Sequence, residues 1–132
     1  MIFSQGEGLI MDWKTRVVIN YMVENLHRKH NLKELAQLVN LSPSRLSYKF
    51  KAETGTSLAR YQKSLKLQKA KELFETTCLR VKEVMVRVGI EDESHFVRDF
   101  KKAFNVTPTQ YRMLYRNGTS NVEIIEVKSA KE

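Results

Sequence analysis

The sequence has little that would interrupt or cross-link a helical chain. Its 132 residues include one cysteine, Cys78, with two prolines and five glycines. A single cysteine excludes an internal disulfide and is typical of a protein from a reducing compartment. Few prolines and glycines leave room for long helices. No apolar run is long enough to span a bilayer, and no secretory leader pattern opens the chain.

Acidic residues are scarce relative to basic ones. There are 23 lysines and arginines against 15 aspartates and glutamates, which gives a net charge of +8. The excess lies in the body of the chain, because the tail from Asn117 onward is about neutral. This balance favours a polyanionic partner, either nucleic acid or an anionic membrane surface. A solvated basic surface without such a partner is the alternative that charge alone leaves open.

The residue patterns of an enzyme are also missing. Three histidines, His27, His30 and His95, are scattered, and Cys78 has no patterned partner. His27 and His30 have the spacing of one helix face, but a metal site needs further ligands. There is no glycine-rich phosphate loop and no nucleophile elbow. We therefore expect no enzymatic activity, no catalytic residues, no bound metal and no cofactor.

What the sequence does contain is one pattern repeated twice. Residues 32–62 and 81–112 both begin apolar-Lys-Glu-apolar, pass through a short turn and close a helix on Phe-Lys. The offset between the copies rises from 49 to 50 across the turn, so the second copy has one extra turn residue. A duplicated helix–turn–helix predicts a reader of two neighbouring segments of DNA groove. Five pairs fix the register: Lys33/Lys82, Glu34/Glu83, Phe50/Phe100, Lys51/Lys101 and Tyr61/Tyr111.

Helical periodicity and capping residues predict the elements. A first helix should run from Asp12 to the region of His27–His30. The stretch from Leu58 to about Thr76 has no Gly or Pro, which predicts a linker helix of roughly 27 Å. The predicted fold is all-α: two helix–turn–helix subdomains joined by the long linker helix, about seven helices in all. The predicted segments are a flexible N-terminus (1–11), a first helix–turn–helix lobe (12–57), the linker helix (58–76), a second lobe (77–116) and a C-terminal tail (117–132). We expect the tail to be loose, because a strand over residues 122–127 would have no second strand to pair with.

Short motifs recur at fixed places in the two copies. They are Leu35-Ala36, Leu41-Ser42-Pro43-Ser44-Arg45-Leu46 and Phe50-Lys51-x-x-x-Gly55 in the first copy, and Val88-Gly89-Ile90, Ser94-His95-Phe96, Phe100-Lys101-Lys102 and Thr107-Pro108-x-x-Tyr111-Arg112 in the second. With these motifs the chain resembles the DNA-binding domain of the AraC/XylS family of bacterial transcription regulators, over about Thr15 to Tyr115. The resemblance implies promoter binding and recruitment of RNA polymerase. A sensor or dimerisation domain, which many members carry, would lie outside this chain. The departures from the family pattern are Lys66 for a frequent arginine, Arg80 for a Ser or Thr cap, Met85 for a usual alanine and Asn105 for a frequent glycine.

A recognition helix reads base edges with the face that it does not bury. Arg45 and Arg98 are the natural guanine readers. Glu93 would accept from a cytosine amino group, or alternatively only complement the positive end of its helix. The predicted base contacts are Ser44, Arg45, Ser47 and Tyr48 in the first lobe and Glu93, Ser94, His95 and Arg98 in the second.

Phosphate contacts should position these helices without specifying sequence. Backbone amides at the helix starts of Ser57 and Thr107 attract anions, and basic side chains supply charge. Any one of these lysines is alternatively a solvated surface residue. Phe50 and Phe100 are expected in the core. The predicted phosphate contacts are Lys49, Lys51, Ser57, Lys101, Lys102, Thr107 and Arg112.

The function predicted from the sequence is regulation of transcription by sequence-specific binding of double-stranded DNA. Because the two reading faces differ, the promoter site should be asymmetric, with one recognition helix in each of two successive major-groove segments. The expected location is the bacterial cytoplasm, at the nucleoid, with no membrane partner. Alternatives are a helical protein–protein adaptor and a non-specific nucleic-acid-binding protein. The sequence lacks the pattern of strands with exposed aromatic residues, and the glycine-rich loop, with which common RNA-binding domains hold RNA.

Overall fold

A computed structural model describes residues 11–115, and within that range it contains seven α-helices and no strand. This confirms the predicted all-α fold with its long central helix. The expectations of a flexible N-terminus, a loose tail and no strand at 122–127 lie outside the described residues. The helices are α1 (Trp13–Glu24), α2 (Leu32–Leu38), α3 (Pro43–Thr54), α4 (Leu58–Thr76), α5 (Val81–Val88), α6 (Glu93–Phe104) and α7 (Pro108–Leu114).

The chain divides into two compact units, and the boundary falls between Leu65 and Lys66, inside α4. Each unit has its own core, to which α4 contributes. The core of the first unit consists of Val18, Met22, Leu35, Ala36, Val39, Leu46 and Phe50, with Leu58, Tyr61 and Leu65 of α4 packed against it. The core of the second unit consists of Leu67, Ala70 and Phe74 of α4 with Val84, Met85, Val88, Phe96, Phe100, Tyr111 and Tyr115.

The same aromatic pair lies in each core. In the first unit the rings of Phe50 and Tyr61 meet edge to face, 5.2 Å between centroids. In the second unit the rings of Phe100 and Tyr111 meet at 5.7 Å. Both phenylalanines are fully buried, as expected for core residues. The sequence repeat is therefore also a repeat of packing.

The turns between the two helices have the same geometry in both copies. Asn40 and Gly89 adopt the left-handed conformation, with φ of 61° and 76°. The following amides, of Leu41 and Ile90, donate to carbonyls five residues back at 2.9 Å in both copies. These bonds define a Schellman turn, in which the helix's last carbonyls find partners. Asparagine tolerates this conformation better than most side chains, and glycine adopts it without steric cost.

The end of α1 differs from the sequence prediction. The helix ends at Glu24, whereas the sequence pattern predicts an end near His27–His30. The helix stops at Asn25, whose backbone leaves helical geometry with φ of −121° and ψ of 38°. The side-chain amide of Asn25 donates to the carbonyl of Tyr21 at 3.0 Å, which occupies an acceptor at the helix end. Leu26 is half-buried beyond that stop, so the apolar pattern continues past the helix itself.

No helix in the described range is both long and apolar enough to cross a membrane.

Candidate nucleic-acid interface

Helix α3 is capped at its N-terminus, and one of its faces is exposed. The Ser42 hydroxyl accepts from the amide of Arg45 at 3.2 Å, and Pro43 occupies the first helical position. Leu46 and Phe50 point into the core and are fully buried. The remaining positions carry the predicted base contacts, all exposed: Ser44, Arg45, Ser47 and Tyr48, the last 79% exposed.

An open groove of about 700 Å³ lies along this face of α3. Its lining includes Ser44, Arg45 and Tyr48 of α3, together with residues at the start of α1 and near the end of α3. It brings three of the four predicted base contacts of the first lobe together on one concave surface. The groove lining is Asp12, Lys14, Leu41, Ser44, Arg45, Tyr48, Lys49, Ala52 and Glu53.

Lys49 is held within the protein by two carboxylates. Its ammonium lies 2.9 Å from Asp12 Oδ2 and 3.0 Å from Glu53 Oε2. Glu53 Oε1 in turn accepts from the hydroxyl of buried Thr15 at 2.6 Å and from the amide of Asp12 at 3.0 Å. The cluster joins the start of α1 to α3, and it leaves less of the Lys49 charge for a phosphate. The predicted phosphate contact of Lys49 remains a prediction.

Ionisation of the cluster is coupled to folding. The hydrogen bond that the Lys49 ammonium donates to the Asp12 carboxylate holds the pKa of Asp12 below its ordinary value. Burial alone would raise the pKa of Glu53. The hydrogen bonds from Thr15, Asp12 and Lys49 outweigh burial, so the pKa of Glu53 also lies below its ordinary value of 4.5. A carboxyl whose pKa is lowered by folding stabilises the protein above its unfolded pKa and loses that contribution as the pH falls through its folded pKa.

We expect the first unit to lose stability as the pH falls below about 4.5, and the variant Glu53→Gln to lose less over that range. At pH 7 the variant should unfold at lower urea, at a cost of about 1–2 kcal/mol, because the neutral amide replaces a charged acceptor. The chain has one tryptophan, Trp13, which lies in α1 beside the cluster. Urea titrations between pH 3 and pH 7, followed by Trp13 fluorescence, measure both effects.

The matched control for this prediction is Glu72→Gln. Glu72 lies 3.5 Å from Lys69 in an exposed i,i+3 pair on the surface of α4. Such pairs contribute little. Equal acid sensitivity of wild type and Glu53→Gln would contradict the assignment of this cluster.

Helix α6 repeats the plan of α3 with a different cap. Asp92 Oδ1 accepts from the amide of His95 at 3.0 Å, and Asp92 Oδ2 lies 2.8 Å from His95 Nδ1. Phe96 and Phe100 are buried. The predicted base contacts of this lobe are all exposed: Glu93, Ser94, His95 and Arg98.

The other predicted phosphate contacts fall into two groups. Lys51, Lys101 and Lys102 are exposed in the last turns of α3 and α6. Ser57 and Thr107 cap the starts of α4 and α7, where their hydroxyls accept from backbone amides at 3.2 and 3.1 Å. The side chains of Ser57 and Thr107 are thus occupied, and an anion would bind through helix-start amides. At the start of α7 this leaves the amide of Thr109, because Pro108 has no N–H and the amides of Thr107 and Gln110 donate within the capping box.

Arg112 is built into the second unit. Its guanidinium donates to the carbonyls of Leu79 at 2.7 Å and Phe74 at 2.8 Å, and also to that of Tyr115. Burial lowers the pKa of Arg112, although an arginine stays charged at any physiological pH. Its donors close off carbonyls at the end of α4 and in the loop that follows. The phosphate contact predicted for Arg112 remains a prediction, with few donors left to make it.

Two supports of the second unit are not foreseeable from the sequence. The Tyr111 hydroxyl donates to the Glu75 carboxylate, which Lys71 also pairs at 2.8 Å. Burial and this carboxylate raise the pKa of Tyr111. The Lys66 ammonium donates to the carbonyl of Gly89 at 3.0 Å, which ties α4 to the turn of the second copy. Each links residues more than 20 positions apart. The sequence signals that bear on them are the equivalence of Tyr61 and Tyr111 and the basic residue that the family pattern also has at position 66.

In the described part of the chain, no three His, Cys, Asp or Glu side chains lie where they could hold a metal ion together.

Comparison with known proteins decides the family. A family model described as a helix-turn-helix domain matches residues 35–113, which covers both copies. The arabinose operon regulatory protein of Salmonella typhimurium is 34% identical over 103 residues, 77% of this chain and 37% of that protein. The chain belongs to the AraC family of helix-turn-helix DNA-binding domains. It spans little more than a third of the length of that relative.

Solved structures agree with this AraC-type assignment. The C-terminal domain of AraT, a response regulator from Geobacillus stearothermophilus, aligns with a TM-score of 0.74 at 30% identity, covering 81% of this chain and 89% of that one. A transcriptional regulator from Chromobacterium violaceum, described as containing an AraC-type DNA-binding domain, aligns with a TM-score of 0.71 at 25% identity, covering 76% and 90%.

Proposed function

We propose that this AraC-type domain binds double-stranded DNA at a specific promoter site and regulates transcription there. The exposed face of α3 would read one major-groove segment and that of α6 the next. The observation that carries the proposal is the paired design of these helices. Each buries two large apolar side chains on one side, Leu46 and Phe50 in α3 and Phe96 and Phe100 in α6. On the other side each exposes an arginine among polar side chains.

The site would be asymmetric, because the two faces offer different chemistry. The first face has Ser44, Arg45, Ser47 and Tyr48, and the second has Glu93, Ser94, His95 and Arg98. An arginine makes paired hydrogen bonds to guanine O6 and N7, whereas a carboxylate accepts from the cytosine amino group. Two different faces read two different half-sites, so no palindrome is needed.

Phosphate contacts would come from Lys51, Lys101 and Lys102 and from the amides at the starts of α4 and α7. These lysines are exposed. Lys49 and Arg112 are weaker candidates for phosphate contacts. Two carboxylates already pair with Lys49, and Arg112 already donates to backbone carbonyls. We assign both mainly to holding the recognition helices.

The bound domain would act in the bacterial cytoplasm by recruiting RNA polymerase. Transcription in a purified system, from a promoter that contains the selected site, tests this step separately from DNA binding. A site that binds the protein without altering transcript yield would leave DNA binding intact and remove recruitment.

Replacing either guanine reader should weaken binding and relax specificity at one base pair. Arg45→Ala and Arg98→Ala remove exposed side chains from α3 and α6, so neither disturbs the cores. Each should cost about 1–3 kcal/mol, the range for a paired hydrogen bond to guanine. Selection of bound duplexes from a random pool, followed by gel-shift titration of the winners, measures both quantities.

The matched control is Arg87→Ala, which removes an exposed arginine from the supporting helix α5. It should leave base preference unchanged. Duplex DNA must also outcompete an RNA of the same sequence. If Arg45→Ala and Arg98→Ala keep the wild-type preference at every position, the assignment of the reading faces is wrong.

A further inference from the structure

One carboxylate contacts His95 twice at the start of α6. Asp92 Oδ1 accepts from the backbone amide of His95 at 3.0 Å, and Oδ2 accepts from the ring Nδ1 at 2.8 Å. The histidine side chain is nevertheless 62% exposed. Asp92 therefore caps the helix and binds the imidazole at the same time, while the ring stays accessible to a partner.

The second contact determines which ring nitrogen carries the proton. The amide of His95, and then its ring, hold the pKa of Asp92 below its ordinary value, so Asp92 is an ionised carboxylate at neutral pH. An ionised carboxylate accepts hydrogen bonds and cannot donate one. Nδ1 must then carry the hydrogen, and in the neutral ring Nε2 is left as an acceptor.

We propose that Asp92 is a positioning residue that makes His95 Nε2 a hydrogen-bond acceptor toward DNA, so that this position of α6 selects a base with an amino group. The inference rests on the proposed DNA-reading function and names one of its specificity determinants. In the major groove cytosine presents only an amino donor, guanine presents only acceptors, and adenine presents both. Cytosine against guanine is therefore the comparison in which an acceptor and a donor at Nε2 have opposite preferences.

The first copy shows what a different cap implies. At the matching place α3 starts with Ser42, and three residues on stands Arg45. A guanidinium is a donor in every state, whatever caps its helix. The imidazole of His95 can be either donor or acceptor, and its cap decides which. The two lobes thus reach the same helical position with side chains of opposite hydrogen-bonding character.

The variant Asp92→Asn separates the two roles of this carboxylate. Asparagine caps helices about as well as aspartate, and its oxygen can still accept from the His95 amide. Its NH2 group would then stand where Oδ2 stood. Facing a donor, Nδ1 becomes the acceptor and the proton moves to Nε2. The preference at this base pair should change from cytosine to guanine, by roughly three- to tenfold, the net effect of one hydrogen bond.

Selection from a random duplex pool at pH 8.5 tests the exchange. Wild type, His95→Ala, Asp92→Asn and Ser42→Asn are compared. His95→Ala identifies the base pair, because its preference disappears there. Wild type should prefer cytosine or adenine over guanine at that pair, and Asp92→Asn should prefer guanine over cytosine. Ser42→Asn changes the equivalent cap of α3 to the same residue, and should leave that base pair as in wild type.

The imidazole nitrogens give a readout that needs no DNA. Long-range ¹H–¹⁵N correlation spectra of the histidine-labelled protein distinguish a protonated from an unprotonated ring nitrogen. Wild type should show a protonated Nδ1 at residue 95, and Asp92→Asn a protonated Nε2. A purely structural role for Asp92 in capping would leave the ring nitrogens of the two proteins alike.

The outcomes distinguish failure of the proposed DNA-binding function from failure of the proposed role of Asp92. If wild type enriches no duplex, the proposed function fails and this inference with it. If wild type enriches a site but prefers guanine at the His95 pair, or if Asp92→Asn reads that pair as wild type does or not at all, only this inference fails. A wild-type ring protonated at Nε2 overturns it by itself.

Discussion

The affinity of this domain for its DNA site should fall by about 10³- to 10⁴-fold when monovalent salt is raised from 50 to 200 mM. We expect about five to eight phosphates to be neutralised, since exposed lysines and helix-start amides accompany a net charge of +8. Each neutralised phosphate releases condensed counterions and contributes about −0.9 to the slope of log K against log salt. Titration of a selected duplex at four or more salt concentrations gives the slope.

Single charge removals refine the measurement. Lys51→Ala and Lys101→Ala occupy equivalent positions in the two copies, and each should reduce the slope by about one while weakening all sequences alike. The control is Lys69→Ala, which removes a partly exposed lysine of α4 that pairs with Glu72, and should leave the slope unchanged. A nearly flat salt dependence would contradict the DNA-binding function. It would instead favour a protein–protein adaptor.

Truncation of Phe100 to alanine should cost about 3–5 kcal/mol of the free energy of unfolding. The ring is fully buried and lies within 5.7 Å of the ring centroids of Phe74, Phe96, Phe104 and Tyr111. The change therefore removes buried apolar area and several edge-to-face contacts at once, and it leaves a cavity. Small domains are stable by only about 5–15 kcal/mol, so the second unit should be largely unfolded near its former melting temperature.

Urea denaturation followed by circular dichroism at 222 nm measures this loss. Met113→Ala is the control, because Met113 lies in the same unit and is 60% exposed. Its effect should stay within about 0.5 kcal/mol. A cost below about 1 kcal/mol for Phe100→Ala, the typical effect of any point substitution, would show that the ring is not the centre of this core.

Local signals predict most of the fold. The duplicated pattern predicts two helix–turn–helix units, and the absence of Gly and Pro from Leu58 to Thr76 predicts α4 with the bounds that the structure has. Asn40 and Gly89 lie at the turns in the left-handed conformation, which asparagine and glycine adopt more readily than other residues. These features are encoded within a few residues of chain. The predicted end of α1 is too late, since Leu26 continues the apolar pattern after the helix has stopped at Asn25.

The candidate site is predictable where exposure decides it, and less so where distant partners do. Every predicted base contact is exposed, which follows from which side chains of α3 and α6 must be buried. The partners of Lys49 and Arg112 are not accessible to sequence reasoning. Asp12 precedes Lys49 by 37 positions, and the carbonyl of Phe74 lies 38 residues before Arg112. Spacing along a helix carries no information about such pairings, so these basic side chains resemble all the others in the sequence.

The boundary between Leu65 and Lys66 limits how this protein can be taken apart. A fragment cut at either loop beside α4 would leave one unit without part of its core: ending at Ser57 removes Tyr61 from the ring of Phe50, and beginning at Thr77 removes Phe74 from that of Phe100. A fragment made to contain one unit must therefore include all of α4. Chimeras of two such domains should accordingly be spliced within α4, in helical phase, where each donor keeps the aromatic residues that fill its own interior.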